Sequence, residues 1–234
     1  MSDRGLDGGA SIARRIDISA VRAQHGEQEV RDLAAAALDG RFVNAHVLPA
    51  WVGLARELLD GSDTLVGAPI GFPGGGHVTA VKVAEAQALL RDGAQELDVV
   101  INVGWLRSGR DAAVRAELEA VRAVVPATVP LKAILEVSLL SGEQIATGAR
   151  LAVEAGADYV KTGTGWTGVP VTLEDVRTIR AAIGDRARIK ASGGLRDLDT
   201  VLRLRAEGVE RFGIGVEPAK AILAEERARL EAAA

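Results

Sequence analysis

The chain has 234 residues, 48% of them apolar, with a formal charge of −4 and no cysteine. That much apolar material can bury one substantial core, whereas the missing cysteines exclude disulfides, thiol nucleophiles and thiolate metal sites. A slightly acidic chain without a basic stripe is a poor partner for nucleic acid, and His25, His46 and His77 stand too far apart in sequence to read as a metal site.

In chain order, the opening MSDRGLDGGA has neither the basic nor the apolar region of a signal peptide, and no later run is long enough to span a bilayer. A cytoplasmic protein without membrane contact is expected. Residues 1–12 read as a flexible N-terminal arm and 13–234 as one domain. Short aliphatic runs then alternate with longer amphipathic stretches, the pattern of parallel strands joined by helices. Eight strands are predicted: RRIDISAV, FVNAHVL, TLVGAPIGF, ELDVVINV, LKAILEV, DYVKTG, RIKASGG and RFGIG. Between them VTAVKVAEAQALLRDG, RDAAVRAELEAVRAVV, SGEQIATGARLAVEAG and TLEDVRTIRAAIG carry apolar residues at three- and four-residue steps. Gly93, Gly156, Gly184 and Gly208 close helices as C-terminal caps. AEERARLEAAA reads as a surface helix that frays. Eight such units point to a single α/β TIM-type (β/α)8 barrel, with an open doubly wound sheet as the alternative.

Of 28 basic residues only five are lysines, Lys82, Lys132, Lys161, Lys190 and Lys220, and three of these sit inside strand-like apolar runs. Arginine cannot stand in where a neutral amine is needed, but a buried lysine loses its proton readily and becomes a nucleophile. In a parallel barrel the working residues lie at the carboxyl ends of the strands. Lys161 and Lys190 fit that placement, with Asp98 deeper; strand parity sets Asp98 with Asn102, Tyr159 with Lys161, and Arg188 with Lys190. A second ammonium near Lys161 lowers its pKa toward roughly 7 to 8, and Asp98 can relay protons between them. Gly193 and Gly194 in ASGGLRD, and Gly213 and Gly215 in GIGVEPA, sit where strands hand over to helices and suit an anion. Glu217 opposes that at the second loop. GTGWTG has dinucleotide-fingerprint spacing but follows the sixth strand and meets Pro170, so it is discounted. GFPGGGH reads as a loop that could close over a site. His46, at the end of the second strand, is a pocket-lining residue.

ELDVVIN, DYVKTGTG, KASGG and RFGIG, with RRIDIS and GFPGG upstream, resemble the 2-deoxyribose-5-phosphate aldolase family, class I aldolases on a TIM barrel, from about Asp17 to Gly215. The resemblance implies a Schiff base at Lys161, tuning by Lys190 and a proton relay at Asp98, with no metal or organic cofactor. Thr164, Gly165, Gly193, Gly194, Gly213, Gly215 and His46 are the candidate substrate-binding positions. Small aldehydes and sugar phosphates are the implied partners, with a homodimer as the candidate assembly. The chain departs from the family's pattern at Gly163, where a serine is usual, at His46, where a cysteine is common, and at Gly215 and Val216, where hydroxyl residues are usual. Weaker affinity for the 5-phosphate is therefore expected. The alternatives are a Schiff-base aldolase for a non-phosphorylated or different aldehyde, and a barrel that binds a metabolite without turnover.

Overall fold

In the computed structural model, which describes residues 11–233, eight parallel strands close into a barrel in chain order, so the open-sheet alternative is set aside. The strands are β1 (Ile16–Ala20), β2 (Asn44–Val47), β3 (Leu65–Ile70), β4 (Glu96–Val100), β5 (Leu131–Ile134), β6 (Tyr159–Lys161), β7 (Arg188–Ser192) and β8 (Val209–Gly215). The outer ring is α1 (Glu27–Gly40), α2 (Val52–Leu58), α3 (Thr79–Arg91), α4 (Val103–Arg107), α5 (Asp111–Val124), α6 (Gly142–Glu154), α7 (Leu173–Ile183), α8 (Leu198–Ala206) and α9 (Val216–Ala233). Among the described residues no helix is long and apolar enough to cross a membrane.

Strand alternation builds two different interiors. Outward-facing Ile16, Ile18, Val66, Ala68, Leu97, Val99, Ala133, Val160, Ile189 and Phe212 pack under the helices as the main apolar core. The inward positions are instead rich in charge: Asp17, Asn44, His46, Glu96, Asp98, Lys132, Lys161, Lys190 and Arg211 are all buried. Barrels of this kind usually fill that space with branched aliphatic side chains. Register brings the charges together, with Asp98 beside Lys132 on the neighbouring strand and Lys161 beside Lys190.

Of the stretch expected as an arm, residues 1–10 lie outside the described residues. Ser11 and Ile12 are held, because Glu226 of α9 accepts from the Ser11 hydroxyl at 2.6 Å and the Ile12 amide at 2.8 Å. The closing helix is therefore not only a surface feature; its Glu226 is buried. The expected fourth strand is also shortened. Asn102 leaves it to cap α4, its side chain accepting from the Trp105 amide at 3.1 Å, while its own amide donates to Glu117 at 3.1 Å.

Candidate active site

A cavity of about 230 Å³ opens at the carboxyl ends of the strands, lined by Lys161, Lys190, His46, Thr164, Gly165, Gly193, Gly194, Gly213 and Gly215. Asp98, fully buried, lies beneath it. One carboxylate oxygen organises the centre. Lys161 and Lys190 each donate to Asp98 Oδ2 at 2.7 Å, so the two amines lie side by side on one atom. Lys132 takes the other oxygen at 3.0 Å and Glu96 at 2.7 Å. Lys190 also pairs with Asp17 at 2.5 Å, and Arg211 bridges Asp17 at 2.5 Å to Glu96 at 2.8 Å.

The electrostatics separate these groups. Burial disfavours the charged form of Lys161 most strongly; Asp98 opposes that, Lys190 and Lys132 add to it, and the pKa falls to about 8. The cause expected from sequence, the second ammonium, is real but ranks below burial. Burial alone would raise Asp98, yet Lys132, Lys161 and Lys190 together hold it well below the usual carboxylate range. Lys132 goes the other way from Lys161: burial lowers it, but Asp98, Glu96 and Asp17 outweigh burial and keep it protonated. With Lys161 neutral, three carboxylates (Asp17, Glu96, Asp98) face three cations (Lys132, Lys190, Arg211), so the free amine is the form that balances the barrel.

Asp17, Glu96 and Arg211 were not singled out by sequence reading, and Lys132, noted as a lysine inside an aliphatic run, was given no part in the site. Their signal was there: each is a charge within a strand-like aliphatic run, in phase with Asp98, Lys161 or Lys190. Also missed were Arg22, His25 and Arg196, which bring two guanidinium groups and an imidazole to the wall of the same cavity from the loops after β1 and β7. Such residues look like any surface charge until the loops fold over.

The two glycine loops are not equivalent. Only the second leads straight into a helix, since α9 starts at Val216. α8 starts later and is capped by Asp197, which accepts from the Thr200 amide at 2.7 Å, so Gly193 and Gly194 do not sit at its N-terminus as expected. Glu217 turns outward, 81% exposed and 3.2 Å from Lys220. The GTGWTG segment does not open a helix, because α7 begins at Leu173 after its Thr172 cap. It forms part of the rim: Trp166 donates to the Val21 carbonyl at 3.0 Å, meets Phe72 edge-on at 5.6 Å, and Arg22 donates to the Gly165 carbonyl at 2.8 Å. Three loops are thereby joined across the mouth.

Residues 15–217 match the profile of the DeoC/LacD family aldolases. The deoxyribose-phosphate aldolase of Sinorhizobium medicae is 49% identical over 89% of this chain and 84% of its own length. That of Klebsiella pneumoniae is 43% identical over 92% and 87%. Among solved structures, the tetrameric deoxyribose phosphate aldolase of Aeropyrum pernix superposes with a TM-score of 0.83 at 29% identity, covering 97% of this chain and 99% of its own. An aldolase designated QR15 gives 0.87 at 34% identity, with 93% and 96% covered.

Proposed function

We propose, because this chain belongs to the DeoC/LacD family of aldolases, that it cleaves and forms 2-deoxy-D-ribose 5-phosphate through a Schiff base at Lys161. The observation that carries the reading is a buried amine with a pKa of about 8, touching the same carboxylate oxygen as a second lysine. At neutral pH about a tenth of such an amine is unprotonated, compared with well under a thousandth of an ordinary lysine.

Lys161 Nζ attacks the C1 aldehyde, and loss of water gives an iminium. The bond then broken is C2–C3, between the α-carbon and the carbon bearing the β-hydroxyl. As the C3 hydroxyl loses its proton and its O–H pair becomes the C3 carbonyl, the C2–C3 electrons flow to C1–C2 and the C=N pair moves onto nitrogen, which releases glyceraldehyde 3-phosphate and leaves an enamine. Protonation at C2 and hydrolysis free acetaldehyde and Lys161. Asp98 is suited to move protons here, since it lies against both amines and remains ionised. No step needs a metal or an organic cofactor. Lys190 acts on Lys161 through its charge.

The phosphate end is the wall formed by Gly193, Gly194, Gly215 and the start of α9, faced by Arg22, His25 and Arg196. Guanidinium groups bind phosphate strongly, so the expected weakening from Gly215, Val216 and Glu217 is offset from other loops. A phosphorylated substrate does not cross membranes unaided, which supports a cytoplasmic location. A homodimer is the proposed assembly; the Aeropyrum relative is a tetramer, and sedimentation distinguishes the two for this chain.

Borohydride reduction in the presence of deoxyribose 5-phosphate tests the proposal. Covalent mass is expected at Lys161, with neither mass nor lyase activity in Lys161→Ala. Full activity in that variant would refute the mechanism, and equal kcat/KM for deoxyribose with and without the phosphate would refute the substrate.

A further inference from the structure

One nitrogen at the barrel centre is unused by the steps above. His46 is 3% exposed and lines the cavity, yet its Nε2 has no hydrogen-bond partner. The tautomer is set from behind. Asn44 donates through Nδ2 to Glu96 at 3.1 Å, which turns its Oδ1 toward His46 Nδ1 at 3.3 Å. An amide oxygen there requires Nδ1 to carry the proton, leaving Nε2 as a lone-pair acceptor. Gly67 makes the pairing sterically feasible, because a Cβ at that position would lie 2.3 Å from Nδ1. Burial first, and then Lys190, Lys161 and Lys132, outweigh Asp98 and hold the ring well below its usual pKa. The imidazole is therefore neutral at working pH.

We propose that His46 Nε2 accepts the substrate's C3 hydroxyl and takes its proton as the C2–C3 bond breaks. This rests on the aldolase reading above. His46 Nε2 and Lys161 Nζ flank the same Asp98 oxygen, at 3.6 and 2.7 Å. A substrate joined to Nζ at C1 carries its C3 hydroxyl only a few bonds away, within the same small space. The amines around it are donors already bound to carboxylates, and both Asp98 oxygens already accept from lysines. In the step, the hydroxyl proton moves to Nε2 and the freed oxygen pair becomes the C3 carbonyl. The C2–C3 pair enters C1–C2, and the iminium pair goes to nitrogen. The imidazolium, beside Asp98, returns its proton to solvent when the aldehyde product leaves. The enamine is protonated by the other route, so His46 serves only the C3 oxygen.

The full-length enzyme with His46→Phe separates these roles. Enamine formation from acetaldehyde, read as exchange of its methyl protons in D2O, never involves a C3 hydroxyl. Cleavage of deoxyribose 5-phosphate should fall by about 10²–10⁴-fold more than exchange and borohydride trapping do, the range of general-base catalysis. His46→Gln, which keeps an acceptor but no base, should hold KM while losing kcat, and serves if the phenylalanine variant does not fold. Loss of exchange and cleavage by one common factor, or undiminished cleavage, would overturn the inference. A parent protein that neither traps nor exchanges acetaldehyde would instead sink the aldolase reading itself.

Discussion

An amine held near pH 8 by burial and by charge responds differently to the loss of each. The free fraction of Lys161 rises with pH through about 8, so the single-turnover rate of Schiff-base trapping should climb to a plateau above that value. Replacing Lys190 with Met removes a cation that lowers Lys161, so the inflection should move upward and the rate at pH 7 should fall. It should not reach the ordinary lysine value, because burial is the larger cause and survives the substitution. Trapping rates between pH 6 and 10 measure this; an inflection that stays put or moves down would show that Lys190 does not tune the nucleophile. The two lysines were legible in the sequence because charge inside an aliphatic run is costly and calls for a reason. The ranking of causes was not legible, since desolvation depends on everything that covers the nitrogen.

The loop after β6 shows what a single element needs in order to hold the site. Glu136, at φ 59°, adopts a left-handed backbone that non-glycine residues rarely take. It aims its carboxylate at Thr164, whose amide donates to it at 3.2 Å and whose hydroxyl also donates to it. Gly163 leaves the room: a Cβ there would lie 2.6 Å from Glu136 Oε1. The departure at Gly163 is thus matched by an acid occupying the same volume. Gly163→Ser should cost about 1–2 kcal/mol in unfolding stability through the lost hydrogen bonds, and much less in a Glu136→Ala background, where the volume is free. Urea unfolding of the four proteins gives the coupling energy; additive effects would mean that the two positions act independently. Strand existence was readable throughout from the alternation of aliphatic runs. This clamp was not, because Glu136 and Gly163 come from different strand ends and nothing local links them.

For the barrel as a whole, the ionic interior is both the catalytic asset and a stability liability. Periodicity assigns Asp17, Glu96, Lys132 and Arg211 to strands but cannot say that these positions converge; only closure of β8 onto β1 does so. Arg211 sits at that seam, joining Asp17 of β1 to Glu96 of β4. Its loss leaves two buried carboxylates short of a cation, so Arg211→Met should cost on the order of 3–5 kcal/mol at neutral pH, a large share of the roughly 5–15 kcal/mol that a typical domain has. The cost should also depend on pH. Burial pushes the Asp17 carboxyl up, but Lys190 and Arg211 outweigh it and lower its pKa in the folded protein. A carboxylate lowered in this way stabilises the fold above its unfolded pKa of 3.8, and that stabilisation is lost as pH falls through the lower folded value. Without Arg211 the folded pKa rises, so the variant has less of this stabilisation to lose on acidification. The gap between variant and parent should therefore be widest near pH 7 and narrow toward pH 3. Urea midpoints across that range decide it: a constant gap would show that Arg211 contributes packing alone, and a gap below about 1 kcal/mol at pH 7 would show that the seam does not depend on this charge.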